Sequence, residues 1–527
     1  MELIKEISAG YQEYLKDESR TVGTAETISF PKTENEVIEI IKYLYENNTN
    51  ITIQGARTGL AAAAVPFGGH ILNVSRMDKV LGCRKDKNGD FYFTLQPGIP
   101  LLELNKMITR KSFNTKDWSE TSLNAYNDFC RGGEYFFSPD PTESTADIGG
   151  MVACNASGAR SFMYGPTRKH ITAIRVVLAD GRVISLKRGS TFAKGRTVDL
   201  ECEDGSRIHL KLPTYIMPET KNASGYYIKD DMDAIDIFIG SDGTLGVISE
   251  IEISILKLPE SIWGVSCFFE NEHMAVKFVE AIRHKIKGIA AIEYFDSNAL
   301  MLLRHQKRAG TAFSALPEIP ENYGCCIYAE LHGKSDEDNE SRLFEIGNAL
   351  IKVGGDETCT WVARTQSDIE CLHFFRHAVP ESANMIIDKR KKENPIITKL
   401  GADMSVPDDF LETVISVYRE GLEEYALQSA TWGHIGDNHL HVNILPENED
   451  DYFNGKELYS KWAQRITSMG GAVSAEHGVG KIKAPFLEVM YGKKHIMEMA
   501  ELKYSLDPKG LLGNGNLFKP MKGEAGK

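Results

Sequence analysis

Two periods of apolar residues run through this chain, and the places where one gives way to the other mark its elements. Residues 1–20, MELIKEISAGYQEYLKDESR, interleave charge with apolar positions at helical spacing, and 34–48 does so again. Thr33 and Glu36 form a capping box ahead of that second helix. The texture then turns to β-type runs: 51–53, a stretch ending at Val74, a hairpin over 171–186 with Asp180-Gly181 between β-branched runs, and the alternating segment 247–256. Beyond Pro259 the two periods take turns. Helix 271–286, strand 288–296, helix 297–310 and strand 323–333 are followed by helical periodicity over 369–386 and a strand at 439–446. The acidic run 335–340 reads as a solvated loop. A strand-rich first half and an alternating second half predict an α+β chain with a linker near 257–261.

At 527 residues, 42% hydrophobic and 25% charged, the chain has room for two or three domains of ordinary globular composition. A net charge of −14 argues against nucleic acid or an anionic membrane surface as a principal partner. The N-terminus has no basic region followed by an apolar core and a small-residue cleavage site. The longest uncharged stretch, 58–75, holds Pro66, Gly68, Gly69 and His70, so no transmembrane segment is predicted and a cytoplasmic protein is expected. Nine cysteines without a C-x-x-C pair or a cluster-binding run are expected to be reduced thiols. A redox function would therefore need an outside electron acceptor.

Three loops of small residues carry one candidate chemistry. In 49–74, glycines and alanines follow a β run, where backbone N–H groups approach an anion closely and Arg57 adds charge. Residues 138–171 gather Ser144, Thr145, Gly149, Gly150 and Asn155 into a loop system suited to a large planar, phosphorylated cofactor. Residues 221–256 repeat the pattern, with GSDGTLG ahead of a strand. A second chemistry is concentrated in 431–446, TWGHIGDNHLHVNILP. There His439, His441 and Asn443 alternate and share one face of a strand, and His434 precedes the Gly436-Asp437 turn that could fold it onto the same patch. Imidazoles gathered this way point to a metal ion beside an oxidisable substrate.

On these motifs the sequence resembles the FAD-binding family of vanillyl-alcohol oxidase (PCMH) type, with KNASGY and IGSDGTLGVISE as close matches. The resemblance implies a PCMH-type FAD-binding domain over 1–258, an α+β substrate (cap) domain with the metal site over 259–500, and a C-terminal segment, 501–527, that returns to the FAD domain. It implies FAD contacts at Gly55, Arg57, Thr58 and Gly59 in the first loop. In the second loop the implied contacts are Ser144, Thr145, Gly149, Gly150, Asn155, Gly158, Tyr164 and Gly165; in the third, Gly243, Gly246, Val247 and Ile248. The first loop departs from the family's GGGTG-x-x-GG, with Ala56 and Arg57 in two glycine places. Thr58 stands where some relatives tether flavin to histidine, so non-covalent FAD is expected. Cys154 is expected to be an inert buried thiol in the second loop.

The second half resembles the branch that holds D-lactate dehydrogenase, glycolate oxidase and D-2-hydroxyglutarate dehydrogenase. GHIGDNHLHVN is similar to its GH-x-GD-x-NLH-x-N. This implies a divalent metal, zinc first, on His434 and His441, with Glu476 of SAEHGVGK as third ligand; His439 stands where the branch has asparagine and receives no role. TKLGADMSVP resembles K-x-D-x-S-x-P, but Gly401 occupies the lysine place, with Lys399 two positions before it, and Pro380 replaces a hydroxyl-bearing residue after Arg376. Both departures argue against 2-hydroxyglutarate.

The implied reaction is oxidation of a 2-hydroxy acid. Arg376 holds its carboxylate, the metal polarises its hydroxyl, His477 takes the proton, and the hydride goes to FAD, while Asn443 touches substrate or orients a ligand. Electrons would leave to electron-transferring flavoprotein, a quinone, a cytochrome or oxygen, with a homodimer and a peripheral membrane association through the acceptor both compatible. The rival reading is the ether-lipid (alkylglycerone-phosphate) synthase of the same flavin family, since SAEHGVGK and GNGNLF resemble its H-H-H-GVGK and GN-x-NL; it lacks the GH-x-GD stretch. A metal-dependent hydrolase or a scaffold protein leaves the flavin loops unexplained. The tail 521–527 is expected to be disordered.

Overall fold

Capping and strand pairing decide which of the expected elements form in the computed structural model, which describes residues 2–310 and 312–520. Glu34–Glu46 is helical, and the Thr33 hydroxyl accepts from the Glu36 N–H; the Glu36 carboxylate, however, accepts from Lys32 rather than Thr33, so only half of the capping box closes. The helix expected over 1–20 does not form. Ile4–Glu6 instead pairs antiparallel with Thr27–Ser29, and only Ala9–Leu15 coils, as a 3-10 helix whose Leu15 packs on Ile28 and Ile71. The acidic run 335–340 is not a loop either. Ser335 caps the helix Asp336–Lys352, accepting from the Asp338 N–H, and three acids in its first turn lie where the helix dipole favours negative charge. The tail 521–527 lies outside the described residues.

Two β frameworks follow. In the first, a four-stranded sheet in the order Ile4–Glu6, Thr27–Ser29, His70–Asn73, Ile51–Gln54 stands beside a five-stranded antiparallel one. The second sheet runs Val80–Lys85, Phe91–Leu95, Val247–Ser254, Ile171–Val177, Val183–Lys187, its last two strands being the expected hairpin. The core beneath takes in Phe93, Phe238 and Ile251, and also Val479 and the buried side of the helix Ala484–Leu506 through Leu487, Met499 and Leu502. The chain's last part therefore packs on its first. Leu512 bridges in parallel to Ile51: the Ile51 N–H donates to the Leu511 carbonyl at 2.7 Å, and the Gly513 N–H to the Ile51 carbonyl at 2.9 Å.

The second framework is an eight-stranded antiparallel sheet. Its order is Trp361–Ala363, Ser261–Phe269, Cys325–Gly333, Ile289–Phe295, Ser429–Gly433, His439–Ile444, Leu400–Gly401, with Met404–Ser405 also pairing to His439–Ile444. Both faces are covered, and adjacent residues go to different cores: Cys267 and Phe269 to one side, Phe268 to the other. All nine cysteines are free thiols. Among the described residues no helix is long and apolar enough to cross a membrane.

One buried histidine outside the site makes a stability prediction. His70 is fully buried between the Thr27 and Ser29 hydroxyls at 2.8 and 2.7 Å, and burial pushes its pKa down to about 4. Between pH 6.5 and 4 the unfolded chain takes up a proton that the folded chain refuses, so this contribution is lost as pH falls, by about 2 kcal/mol at pH 5. Urea unfolding should therefore show wild type losing about 2 kcal/mol relative to His70→Gln between pH 7 and 5. A gap that stays constant would refute it.

Candidate active site

The three small-residue loops face one another across a cleft in the first framework. Gly55, Arg57, Thr58, Gly59, Gly149, Gly150, Gly243, Gly246 and Ile248 line it. Ser144, Thr145, Asn155, Gly158, Tyr164, Gly165 and Val247 are not among the residues that line it. The Thr145 hydroxyl donates to Glu143 at 2.6 Å, and Asn155 ends the helix Ile148–Cys154 with φ 54° while its side chain accepts from the Arg168 N–H. A Cβ on Gly158 would lie 2.1 Å from the Asp140 carbonyl oxygen, Tyr164 Oη is 2.6 Å from His332 Nδ1 of the second framework, and Val247 belongs to the core with Ile51. Pro141, Asp147, Ser157 and Asp242 also line the cleft, and sequence reasoning missed them.

The cleft suits a flavin on its own evidence. Asp147 Oδ2 is buried without a hydrogen-bond partner, and the hydroxyls and ring N–H of a flavin are donors of the kind it needs. Burial pushes the Asp147 carboxyl up to about 7 and the Cys154 thiol up to about 12, so the thiol is neutral; Cys154 is half-buried rather than buried and lines the cleft.

At the edge of the cleft the second framework contributes a cluster. The chain leaves Ser429–Gly433 through Gly433 at φ 130°, where a Cβ would lie 2.8 Å from His441 Cδ2; only glycine lets His434 turn back over the strand His439–Ile444. Glu476 Oε2 is 3.4 Å from His434 Nε2 and 3.8 Å from His439 Nδ1, and its Oε1 is 3.2 Å from His441 Nε2. Ligand-type atoms of these four residues all lie within 4.8 Å of one another, and Asp403 and His477 form a second such set with His441 and Glu476. His434 Nε2 and both His439 nitrogens are buried without hydrogen bonds. Imidazole and carboxylate donors with unsatisfied lone pairs fit a divalent transition metal.

Carboxylates hold this cluster from behind. Glu293, on the strand Ile289–Phe295, places Oε1 2.6 Å from His434 Nδ1 and Oε2 3.5 Å from Arg376 Nη2. Burial opposes its ionisation, but the charges of His434 and Arg376 hold its pKa down to about 2. Arg376 itself stands on the helix Gln366–Glu393, 5.3 Å above the Tyr328 ring. Asp403 is fully buried and accepts from the backbone N–H of Glu476 and His477 at 3.1 and 3.0 Å, from the Ser474 hydroxyl at 2.7 Å and from Lys483. Burial works against its charge too, yet His477 and Lys483 keep its pKa well below the carboxylate range. Lys221 Nζ reaches Glu476 Oε2 at 2.8 Å.

His477 lines the cleft and stacks on His441 at 5.5 Å, with Nε2 3.6 Å from Glu476 Oε1 and Nδ1 3.5 Å from Asp403 Oδ2. Burial pushes its pKa down to about 4, so the imidazole is neutral at pH 7. Its loop presses on the flavin side: Asp242 Oδ2 accepts from the Val479 and Gly480 N–H at 3.1 and 2.8 Å, and a Cβ on Gly480 would lie 2.1 Å from the Ala61 carbonyl. Asn443 donates its amide to the His441 carbonyl at 2.8 Å. Gly401 pairs opposite Asn443, and Lys399, two residues earlier on the same face, lies 5.7 Å from the Trp432 ring. Glu293, Asp403 and Lys221 had no role from sequence; a single acid inside the apolar run GIAAIEYF was the available signal for Glu293.

Residues 258–517 match the family described as FAD linked oxidases, C-terminal domain, and residues 25–120 and 121–187 match the FAD binding domain. The glycolate oxidase subunit GlcD of Bacillus subtilis (strain 168) is 24% identical over 492 residues, covering 93% of this chain and 88% of that one. A D-lactate dehydrogenase of Anaerostipes hadrus is 25% identical over 516 residues, covering 96% and 92%. Among solved structures, an alkyldihydroxyacetonephosphate synthase superposes with a TM-score of 0.64 over 97% of this chain and 82% of that one, at 16% identity, a likeness of fold.

Proposed function

Because the chain belongs to the FAD-linked oxidases, FAD-dependent oxidoreductases with an FAD-binding domain ahead of a C-terminal domain, we propose that it oxidises a short D-2-hydroxy acid, such as D-lactate or glycolate, to the 2-oxo acid. The observation that carries this reading is the position of His477, which faces the flavin cleft on one side and the histidine–glutamate cluster on the other. FAD, held non-covalently by the three loops, supplies the hydride acceptor. A divalent metal, zinc by its donor set, held by His434, His441 and Glu476, supplies a Lewis acid for the substrate hydroxyl.

The chain's own residues do the rest. Arg376 presents a guanidinium fork to the substrate carboxylate, and Glu293 keeps that fork beside His434. Neutral His477 accepts the hydroxyl proton at Nε2, and the Asp403 carboxylate near Nδ1 stabilises the imidazolium that results. Asn443 fixes the backbone that carries His441. Gly401 leaves no cation for a second carboxylate beside Asn443, which favours a monocarboxylate. In this reading the enzyme works in the cytoplasm and passes its electrons to electron-transferring flavoprotein, a quinone or a cytochrome. The relatives named for lactate and glycolate oxidation favour this over ether-lipid synthesis, for which the likeness is one of fold alone.

Anaerobic mixing tests the reading. The flavin band of the purified protein should bleach with D-lactate or glycolate and not with L-lactate, and chelation should slow the bleaching. A flavin that no acid of a D-2-hydroxy acid panel reduces would sink the proposal.

A further inference from the structure

We propose that His439 is a further protein ligand of the metal, through Nδ1, and that Asp403 positions it, so that three imidazoles and one carboxylate hold the ion. The inference rests on the metal reading above and enlarges the ligand set of that site.

The three rings surround Glu476. The centroids of His439 and His441 are 4.4 Å apart, and the His434 ring lies 5.4 Å from the first and 5.3 Å from the second. Glu476 Oε2 is near both His434 Nε2, at 3.4 Å, and His439 Nδ1, at 3.8 Å. These two nitrogens share an environment: each is buried and neither has a hydrogen-bond partner. They also share an arrangement behind the ring. Glu293 Oε1 lies 2.6 Å from His434 Nδ1, and Asp403 Oδ1 lies 2.9 Å from His439 Nε2. A carboxylate behind the far nitrogen of a ligating histidine fixes its orientation and tautomer and leaves the near lone pair for the metal. His439 has the carboxylate at the same place, at ion-pair distance, where His434 has it hydrogen-bonded.

The bland alternative is a core histidine that merely packs against Asp403. It leaves Nδ1 of a fully buried ring dry, at a cost of about 1–3 kcal/mol for the missing partner. It also leaves unexplained why the strand turns this nitrogen toward Glu476 rather than into the core. With three imidazoles, the donor set leans to zinc or cobalt over oxygen-preferring magnesium or manganese.

X-ray absorption at the zinc edge of the holoenzyme counts imidazoles directly. Wild type should show three and H439N two, with zinc affinity by chelator competition at least tenfold weaker in H439N and FAD absorbance retained. A wild-type spectrum showing two imidazoles, or an H439N spectrum and affinity equal to wild type, overturns the inference and leaves the metal reading standing. Wild type that retains no stoichiometric divalent metal overturns both. The wild-type spectrum decides by itself if H439N does not fold.

Discussion

Replacing His477 with glutamine should lower the rate of flavin reduction by a D-2-hydroxy acid by about 10²–10⁴-fold, while FAD and metal content stay at wild-type levels. The size is the usual contribution of a positioned general base: its Nε2 faces the cluster and its Nδ1 faces Asp403. The separation of effects follows from the backbone. Asp403 holds this loop through the N–H groups of residues 476 and 477 and the Ser474 hydroxyl, none of which depends on the imidazole. Glutamine fills the space and accepts a hydrogen bond but has no basic ring nitrogen to take up the proton. Anaerobic stopped-flow reduction, with FAD and metal quantified in the same sample, is the measurement. A rate within a few-fold of wild type would remove His477 from the proton transfer.

The second large effect is expected at Arg376. R376M should cut kcat/KM for the acid by about 10²–10³-fold, roughly 3–4 kcal/mol, the range for losing one partner of a buried charge pair. R376K should lose less, since it keeps the charge and gives up the fork. Arg376 also touches Glu293, which orients His434, so a loss of activity alone would not separate substrate binding from damage to the cluster. The methyl ester of the substrate separates them. If Arg376 binds the carboxylate, R376M treats acid and ester nearly alike, while wild type prefers the acid. Equal damage to both substrates would mean that Arg376 acts through Glu293.

The sequence announced the parts of the site that are contiguous in it. His434, His441, Glu476 and His477 lie in two short motifs, and alternation along a strand was enough to put His439 and His441 on one face. What lay across strands was not legible. Glu293 reaches His434 from a neighbouring strand, Asp403 gathers a loop more than seventy residues away, and Lys221 crosses from the flavin framework to Glu476. His439 was visible as a residue type, but which way its two nitrogens face is decided by Asp403 and Glu476 together. The flavin loops behaved similarly: glycines lining the cleft were found, whereas Ser144 and Thr145 lie outside it and Thr145 donates to Glu143. Two local errors share a cause. An acidic run serves equally as a loop or as the first turn of a helix until Ser335 caps it, and helical spacing over residues 1–20 yielded to the free edge of Thr27–Ser29.

The bridge between Ile51 and Leu512 has a consequence for how the protein is made. Ile51–Gln54 leads directly into the first flavin loop, and Leu512 pairs with Ile51 while Asn516 donates to the Ala63 carbonyl in that loop at 3.1 Å. On the ribosome, Leu512 and Asn516 emerge more than four hundred residues after the groups they pair with. Until they arrive, the nascent chain carries an unpaired β edge at Ile51 and a first loop without its Asn516 contact, a state prone to wrong pairings.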